Sequence, residues 1–234
     1  MKKTLDHIYC LSGLGADQRI FKNLAIPQTN LLPLGWVLPQ QKSEGLNEYA
    51  RRLAVNIKHE QPVLMGVSFG GMMAIEIAKL IPVKAVILIS SIKSSQELPF
   101  WMKFFGKCKA EYLLPSVPLK SIKPLSAIRP IQNYFLGADT AETIAIANEF
   151  RDNVDPLYLK WSLRNIFNWK NEWSPPQIFH IHGDKDKLFP ISKVKPTHVI
   201  KNGGHFMVMS HFDEINKIVA EICSGLNNPT PFRT

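Results

Sequence analysis

Residues 66–71 read Gly-Val-Ser-Phe-Gly-Gly, which sets Ser68 between glycines at −2 and +2. A serine hydroxyl becomes a nucleophile when a base takes its proton, and it must stand clear of its own backbone to reach a substrate. A sharp strand-to-helix turn achieves this by holding the serine in a strained conformation between neighbours that lack side chains. Gly66 and Gly70 fill those places; the plain alternative for the pattern is a glycine-rich turn before a helix. The chemistry open to such a serine is acyl transfer. It needs a neutral imidazole to accept the proton near pH 7, and a carboxylate to orient that imidazole and stabilise its charged form. Of the seven histidines, only His205 has both a loop setting after the last strand-like run and a glycine pair before it, in Asn202-Gly203-Gly204-His205-Phe206. Structural or solvated roles are the simpler reading for His7, His59, His180, His182, His198 and His211. The preceding strand-like run leads into His182-Gly183-Asp184-Lys185-Asp186-Lys187-Leu188-Phe189-Pro190, which offers two carboxylates, Asp184 and Asp186.

These residues need elements to position them. Short apolar runs at 6–11, 29–34, 62–67 and 83–90 alternate with helical patterns at 17–24, 45–58 and 69–80. The runs are continuously apolar rather than strictly alternating, which predicts strands covered on both faces, hence a parallel sheet built from βαβ units. From about residue 92 to about 175 no strand is expected; aromatic helical pieces at 98–110, 124–136, 140–151 and 155–168 are separated by prolines. The alternation resumes with strands at 177–182 and 197–201 and a closing helix at 210–225. The sequence shows no internal repeat and no low-complexity segment.

The G-x-S-x-G turn between a strand and an apolar helix resembles the nucleophile elbow of the α/β-hydrolase fold. That resemblance covers about 1–91 and 177–226. It implies an α/β class chain with about six parallel strands flanked by helices, lacking the family's usual N-terminal antiparallel pair. The core would be 1–91 and 177–226, a helical cap would occupy 92–176, and 227–234 would be a flexible tail. The Gly-Gly-His setting of His205 is similar to the family's, and 183–190 resembles its G-x-x-D-x-x-x-P segment, with Gly183, Asp186 and Pro190 at the fixed places. The resemblance therefore implies Asp186 as the acid, with Asp184 as a competitor able to brace the loop. Ser68, Asp186 and His205 follow the order expected of this fold. It also implies an oxyanion hole made by the backbone N–H groups of Phe69, next to the serine, and Leu14, in Ser12-Gly13-Leu14-Gly15. Relatives often carry His-Gly where this chain has Ser12-Gly13, and Ser12 can hydrogen-bond within the loop instead. The implied function is a serine hydrolase that cleaves a carboxylic ester or related small-molecule acyl compound through an acyl-enzyme on Ser68, with no cofactor. The alternatives are a lyase, such as cyanohydrin cleavage with the same three residues, and a non-catalytic small-ligand-binding protein. A serine at the elbow argues against the dehalogenase and epoxide-hydrolase branches, which use aspartate there.

The first helix of the insertion is rich in rings. Phe100, Trp101 and Phe104 either pack it onto the core or line an apolar substrate pocket. Between Lys93 and Arg129 seven basic residues face two acidic ones, Glu97 and Glu111. Solvated lysines on a helix face explain this more simply than contact with an anionic lipid surface. The whole chain, 234 residues, has 28 Lys plus Arg against 19 Asp plus Glu, a net +9. No run of five or more consecutive basic residues and no nucleic-acid motif accompanies that charge, so nucleic acid is not an expected partner. Gly13-Leu14-Gly15 lacks the third glycine and the distant acid of a dinucleotide fingerprint. His180, His182 and Asp184 alternate along a strand as metal ligands would, but buried strand residues explain them more simply, and no metal is expected. Three scattered cysteines suggest neither disulfides nor a zinc site. Met1-Lys2-Lys3 opens like a secretory leader, yet Asp6 and His7 interrupt the apolar run; the expectation is a cytoplasmic protein. The number of copies in any assembly is not legible.

Overall fold

The computed structural model describes residues 6–113 and 127–227. The sequence readings that fall on 1–5, on 228–234 of the tail, on Lys120 and Lys123, and on 124–126 at the head of a predicted helix lie outside the described residues. Six strands form one parallel sheet in the order β2-β1-β3-β4-β5-β6. They are β1 (Asp6–Leu11), β2 (Thr29–Pro33), β3 (Val63–Val67), β4 (Ala85–Ile89), β5 (Ile178–Gly183) and β6 (His198–Ile200). Every residue of β3 and β4 is buried, as their continuous apolar runs require. The edge strands are weaker: β2 ends in Pro33, which has no N–H to donate, and β6 is three residues long.

Alternate residues of each strand enter two different cores. Tyr9, Leu11, Leu64, Val86 and Leu88 pack with α1 (Leu46–Ala54) and α2 (Phe69–Ala78) on one face. Ile8, Cys10, Met65, Ile87 and Ile89 pack on the other with the 3-10 turn Gln18–Phe21, α7 (Met207–Ser210) and α8 (Phe212–Asn227). The predicted closing helix is therefore two helices, broken at His211, whose backbone leaves the helical range. The predicted helix at 17–24 is only the 3-10 turn, started by the Asp17 side chain accepting from Arg19 N–H.

Between β4 and β5 the described residues form α3 (Phe100–Lys107), α4 (Arg129–Leu136), α5 (Ala141–Asn153) and α6 (Pro156–Phe167), with short 3-10 turns and no strand. Sequence sets their starts. Pro130 stands in the first turn of α4; Thr140 accepts from Thr143 N–H at 3.1 Å to cap α5; Asp155 accepts from Leu157 and Tyr158 N–H at 2.8 and 3.0 Å before Pro156 opens α6. Trp161 of α6 donates to Glu44 O at 2.8 Å, and Trp169 donates to the buried Glu76 carboxylate of α2 at 2.8 Å. Both indoles thereby tie the helical segment to the sheet layer without leaving a buried N–H unpaired. No helix among the described residues is long and apolar enough to cross a membrane.

Candidate active site

Ser68 is the last residue before α2 and sits at φ 53°, ψ −119°. No L-residue adopts that conformation cheaply, and it persists because the surroundings over-determine it. A Cβ at Gly66 would lie 2.2 Å from Gly70 O, and one at Gly70 would lie 2.2 Å from Leu11 O. The turn closes only because both positions are bare. Ser68 N–H continues the ladder to Ile89 O at 2.9 Å, and the Ser91 hydroxyl donates to Ser68 O at 2.6 Å. The serine side chain is thus held at the C-terminal end of the central strands, beside the point where the strand order reverses between β1 and β3.

His205 stands on the loop after β6, buried, with Nε2 2.9 Å from Ser68 Oγ and Nδ1 2.8 Å from Asp186 Oδ2. An ionised carboxylate only accepts, so Nδ1 carries the proton and Nε2 is free to accept from the serine hydroxyl. The loop after β5 fixes the carboxylate. Asp186 Oδ1 accepts from Leu188 and Phe189 N–H at 2.9 and 2.8 Å, leaving Oδ2 for the imidazole. Burial alone would raise the Asp186 carboxyl, but the charge and hydrogen bond of His205, with His182 and the Phe189 N–H, outweigh it and hold it below the usual carboxylate range. Asp184 is two residues away and turns elsewhere: its Oδ1 accepts from Asn202 N–H at 2.7 Å, bracing the two loops against each other.

Behind Asp186 lies a pair the sequence reading set aside as structural. His182 Nε2 donates to Phe189 O at 2.8 Å and lies 3.4 Å from Asp186 Oδ2. That fixes its tautomer, so His180 Nε2 donates to His182 Nδ1 at 3.1 Å. Both rings are fully buried. Burial above all, then His182 and Lys93, pushes His180 down to about 3, and burial likewise lowers His182. An unfolded chain binds a proton at these imidazoles below about pH 6.5 that the folded chain does not. Stability is therefore intact above that pH and falls as pH drops through the His180 window down to about 3, by about 1.4 kcal/mol per pH unit, with His182 acting in the same direction. Urea unfolding should show a loss of about 2–3 kcal/mol from His180 alone between pH 7 and 4.5; a flat stability over that range would contradict this neutral pair.

Leu14 lies in the turn after β1 and shares a cavity of about 360 Å³ with Ser68 and His205. Phe69 opens α2, so its N–H is one of the first-turn donors that the helix itself leaves unpaired. Ser12 hydrogen-bonds within its loop: its hydroxyl donates to Ala16 O at 2.7 Å and accepts from Trp36 Nε1 at 2.8 Å. The cavity walls come from both layers, with Val67 and Leu188 from the core and Leu136, Phe150, Val154 and Leu159 from the helical segment. Phe100, Trp101 and Phe104 are a correction to the pocket expected from sequence. They do not line this cavity, and Phe100 is 81% exposed. The reason is the face α3 buries: Met102 and Gly106 meet α6, and a Cβ at Gly106 would lie 2.8 Å from Phe167 O. Two residues that sequence reasoning missed also touch the site. Arg151 lines the cavity, a role no spacing pattern announces. Gly137, the left-handed C-cap of α4 at φ 73°, rests on Gly204, beside His205. Phe206 N–H donates to Leu136 O at 2.9 Å, and Lys187 Nζ donates to Tyr134 O at 3.2 Å.

A model of the alpha/beta hydrolase family matches residues 8–218. Solved structures with the same architecture include a thermophilic esterase from Thermogutta terrifontis, 13% identical, with TM-score 0.66 over 96% of this chain and 92% of that one. MenH from S. aureus is 16% identical, with TM-score 0.69 over 97% and 96%. The RedJ thioesterase of the prodiginine pathway in Streptomyces coelicolor is 16% identical, with TM-score 0.62 over 94% and 91%. At these identities the likeness is one of fold. Among curated proteins none matches the chain in sequence.

Proposed function

Because this chain belongs to the alpha/beta hydrolase family, we propose that it hydrolyses a carboxylic ester or related small-molecule acyl compound through an acyl-enzyme on Ser68. The observation that carries this reading is the unbroken relay from Ser68 Oγ to His205 to Asp186, at 2.9 and 2.8 Å, on a serine whose backbone is strained. His205 Nε2 takes the hydroxyl proton as Oγ attacks the acyl carbon. The imidazolium is stabilised by Asp186, and the oxyanion is received by the N–H groups of Phe69 and Leu14. His205 then returns the proton to the leaving group, and a water activated by the same imidazole releases the acid. Walls that are mostly aliphatic favour an acyl chain with an apolar body. The esterase and thioesterase among the structural neighbours agree with this choice of bond without identifying the substrate.

The test is covalent. A fluorophosphonate probe should add its phosphonyl group to the tryptic peptide containing Ser68, with p-nitrophenyl butyrate hydrolysis lost in proportion to labelling. A folded protein that neither labels nor hydrolyses a panel of p-nitrophenyl esters would exclude a serine hydrolase and leave the ligand-binding reading.

A further inference from the structure

Arg151 is the only residue carrying a full charge among the described residues that line the Ser68 cavity, since the His205 imidazole there is the neutral proton acceptor. Its surroundings are those of a cation without a counter-ion. Nη2 donates to the side-chain oxygens of Asn133 and Asn148, both neutral, and these are its only hydrogen bonds among the described residues. Nε is buried with no partner. No described carboxylate lies within ion-pair distance of the guanidinium; the adjacent Asp152 is taken by Arg129. Burial, then the charge of Arg129, weighs against the charged form, and Asp152 offsets this only in part. A half-buried guanidinium left in that condition is costly, because its charge is desolvated without an anion to meet it.

Tying α4 to α5 through Asn133, with Asn148 of α5 itself as the second acceptor, needs Nη2 alone. It leaves Nε and Nη1 without an acceptor and the charge without an anion among the described residues, on a side chain that lines the cavity holding the nucleophile. We propose that Arg151 is the anion-reading group of this cavity, and that the acyl substrate carries a carboxylate at the end remote from its scissile bond. The claim rests on the serine-hydrolase reading and narrows its substrate class. A carboxylate suits the site better than a phosphate. It brings one negative charge to one guanidinium, so no excess charge is stranded among Leu136, Phe150, Val154 and Leu159. The methylenes between ester and acid would lie against those aliphatic walls, and a chain with net charge +9 attracts an anion before it docks.

The experiment compares mono-p-nitrophenyl glutarate with p-nitrophenyl butyrate on wild type, Arg151→Gln and Arg151→Lys. Wild type should prefer the anionic ester in kcat/KM. The anionic-to-neutral ratio should fall about 10- to 100-fold in Arg151→Gln and recover in part in Arg151→Lys, which keeps the charge but not the guanidinium donors. An Arg151 that only ties helices would slow both esters alike, so an unchanged ratio overturns the proposal. A second arm reads binding without turnover: calorimetry on Ser68→Ala with monomethyl glutarate and with methyl pentanoate. Carboxylate-selective binding that Arg151→Gln abolishes, in a protein whose wild type turns over neither ester, keeps the anion site and overturns the hydrolase. Turnover of both esters with no Arg151-dependent preference keeps the hydrolase and overturns the anion site.

Discussion

Ser68→Ala is expected to lower kcat for p-nitrophenyl butyrate by about 10⁴- to 10⁶-fold, the range seen when the nucleophile of such a relay is removed. The effect is large because the relay acts as a unit: without Oγ, the imidazole 2.9 Å away has no proton to accept that leads to a covalent acyl intermediate. The fold should survive. Alanine is no bulkier than serine, the Ser68 N–H and O keep their bonds to Ile89 and Ser91, and the bare Gly66 and Gly70 are untouched. Circular dichroism and the urea midpoint check this directly. A variant that folds normally and keeps more than a tenth of wild-type kcat would remove Ser68 from the chemistry.

Asp186→Asn should cost about 10⁴-fold in kcat, and the structure dictates why. The Oδ1 position accepts two backbone N–H groups, so an asparagine must leave its carbonyl oxygen there. Its NH₂ then occupies the Oδ2 position and points donors at His205 Nδ1. The ring responds by moving its proton to Nε2, which now donates to Ser68 Oγ and can no longer accept from it. Raising the pH does not rescue this tautomer, so the loss should persist across the alkaline range of a kcat profile. Asp184→Asn is the control. An amide oxygen still accepts from Asn202 N–H there, and kcat should change less than about 3-fold, because that side chain braces loops rather than the imidazole. Equal losses from the two substitutions would undo the assignment of the acid.

How much of this was legible before the fold is a matter of which signals are local. Continuous apolar runs at 62–67 and 83–90 and the Gly-x-Ser-x-Gly turn between strand and helix are local, and they predict the parallel sheet and the elbow. The element ends were less legible because packing decides them: β4 starts at Ala85 rather than at 83, and the helix expected from 45 to 58 stops at Ala54. The choice of Asp186 over Asp184 came from a family resemblance; geometry adds the reason, since only Asp186 sits where two turn amides fix one oxygen and free the other. The rings of α3 misled because a helix with four aromatics does not say which face is buried, and here the small residue Gly106 marks that face. Arg151 was silent in the sequence. Its meaning depends on Asn133 and Asn148, on two helices, and on a cavity that exists only once both layers meet.

The short helix α4 grips the machinery at two handles. Its final carbonyl turn holds the strand of chain just past the imidazole through Phe206, and Tyr134 holds the loop of the acid through Lys187, whose ammonium also rests 3.2 Å from the centre of the phenol ring. An outward swing of this helix would break both contacts at once. A reactant that displaced α4 would give up one contact next to His205 and another in the loop that carries Asp186.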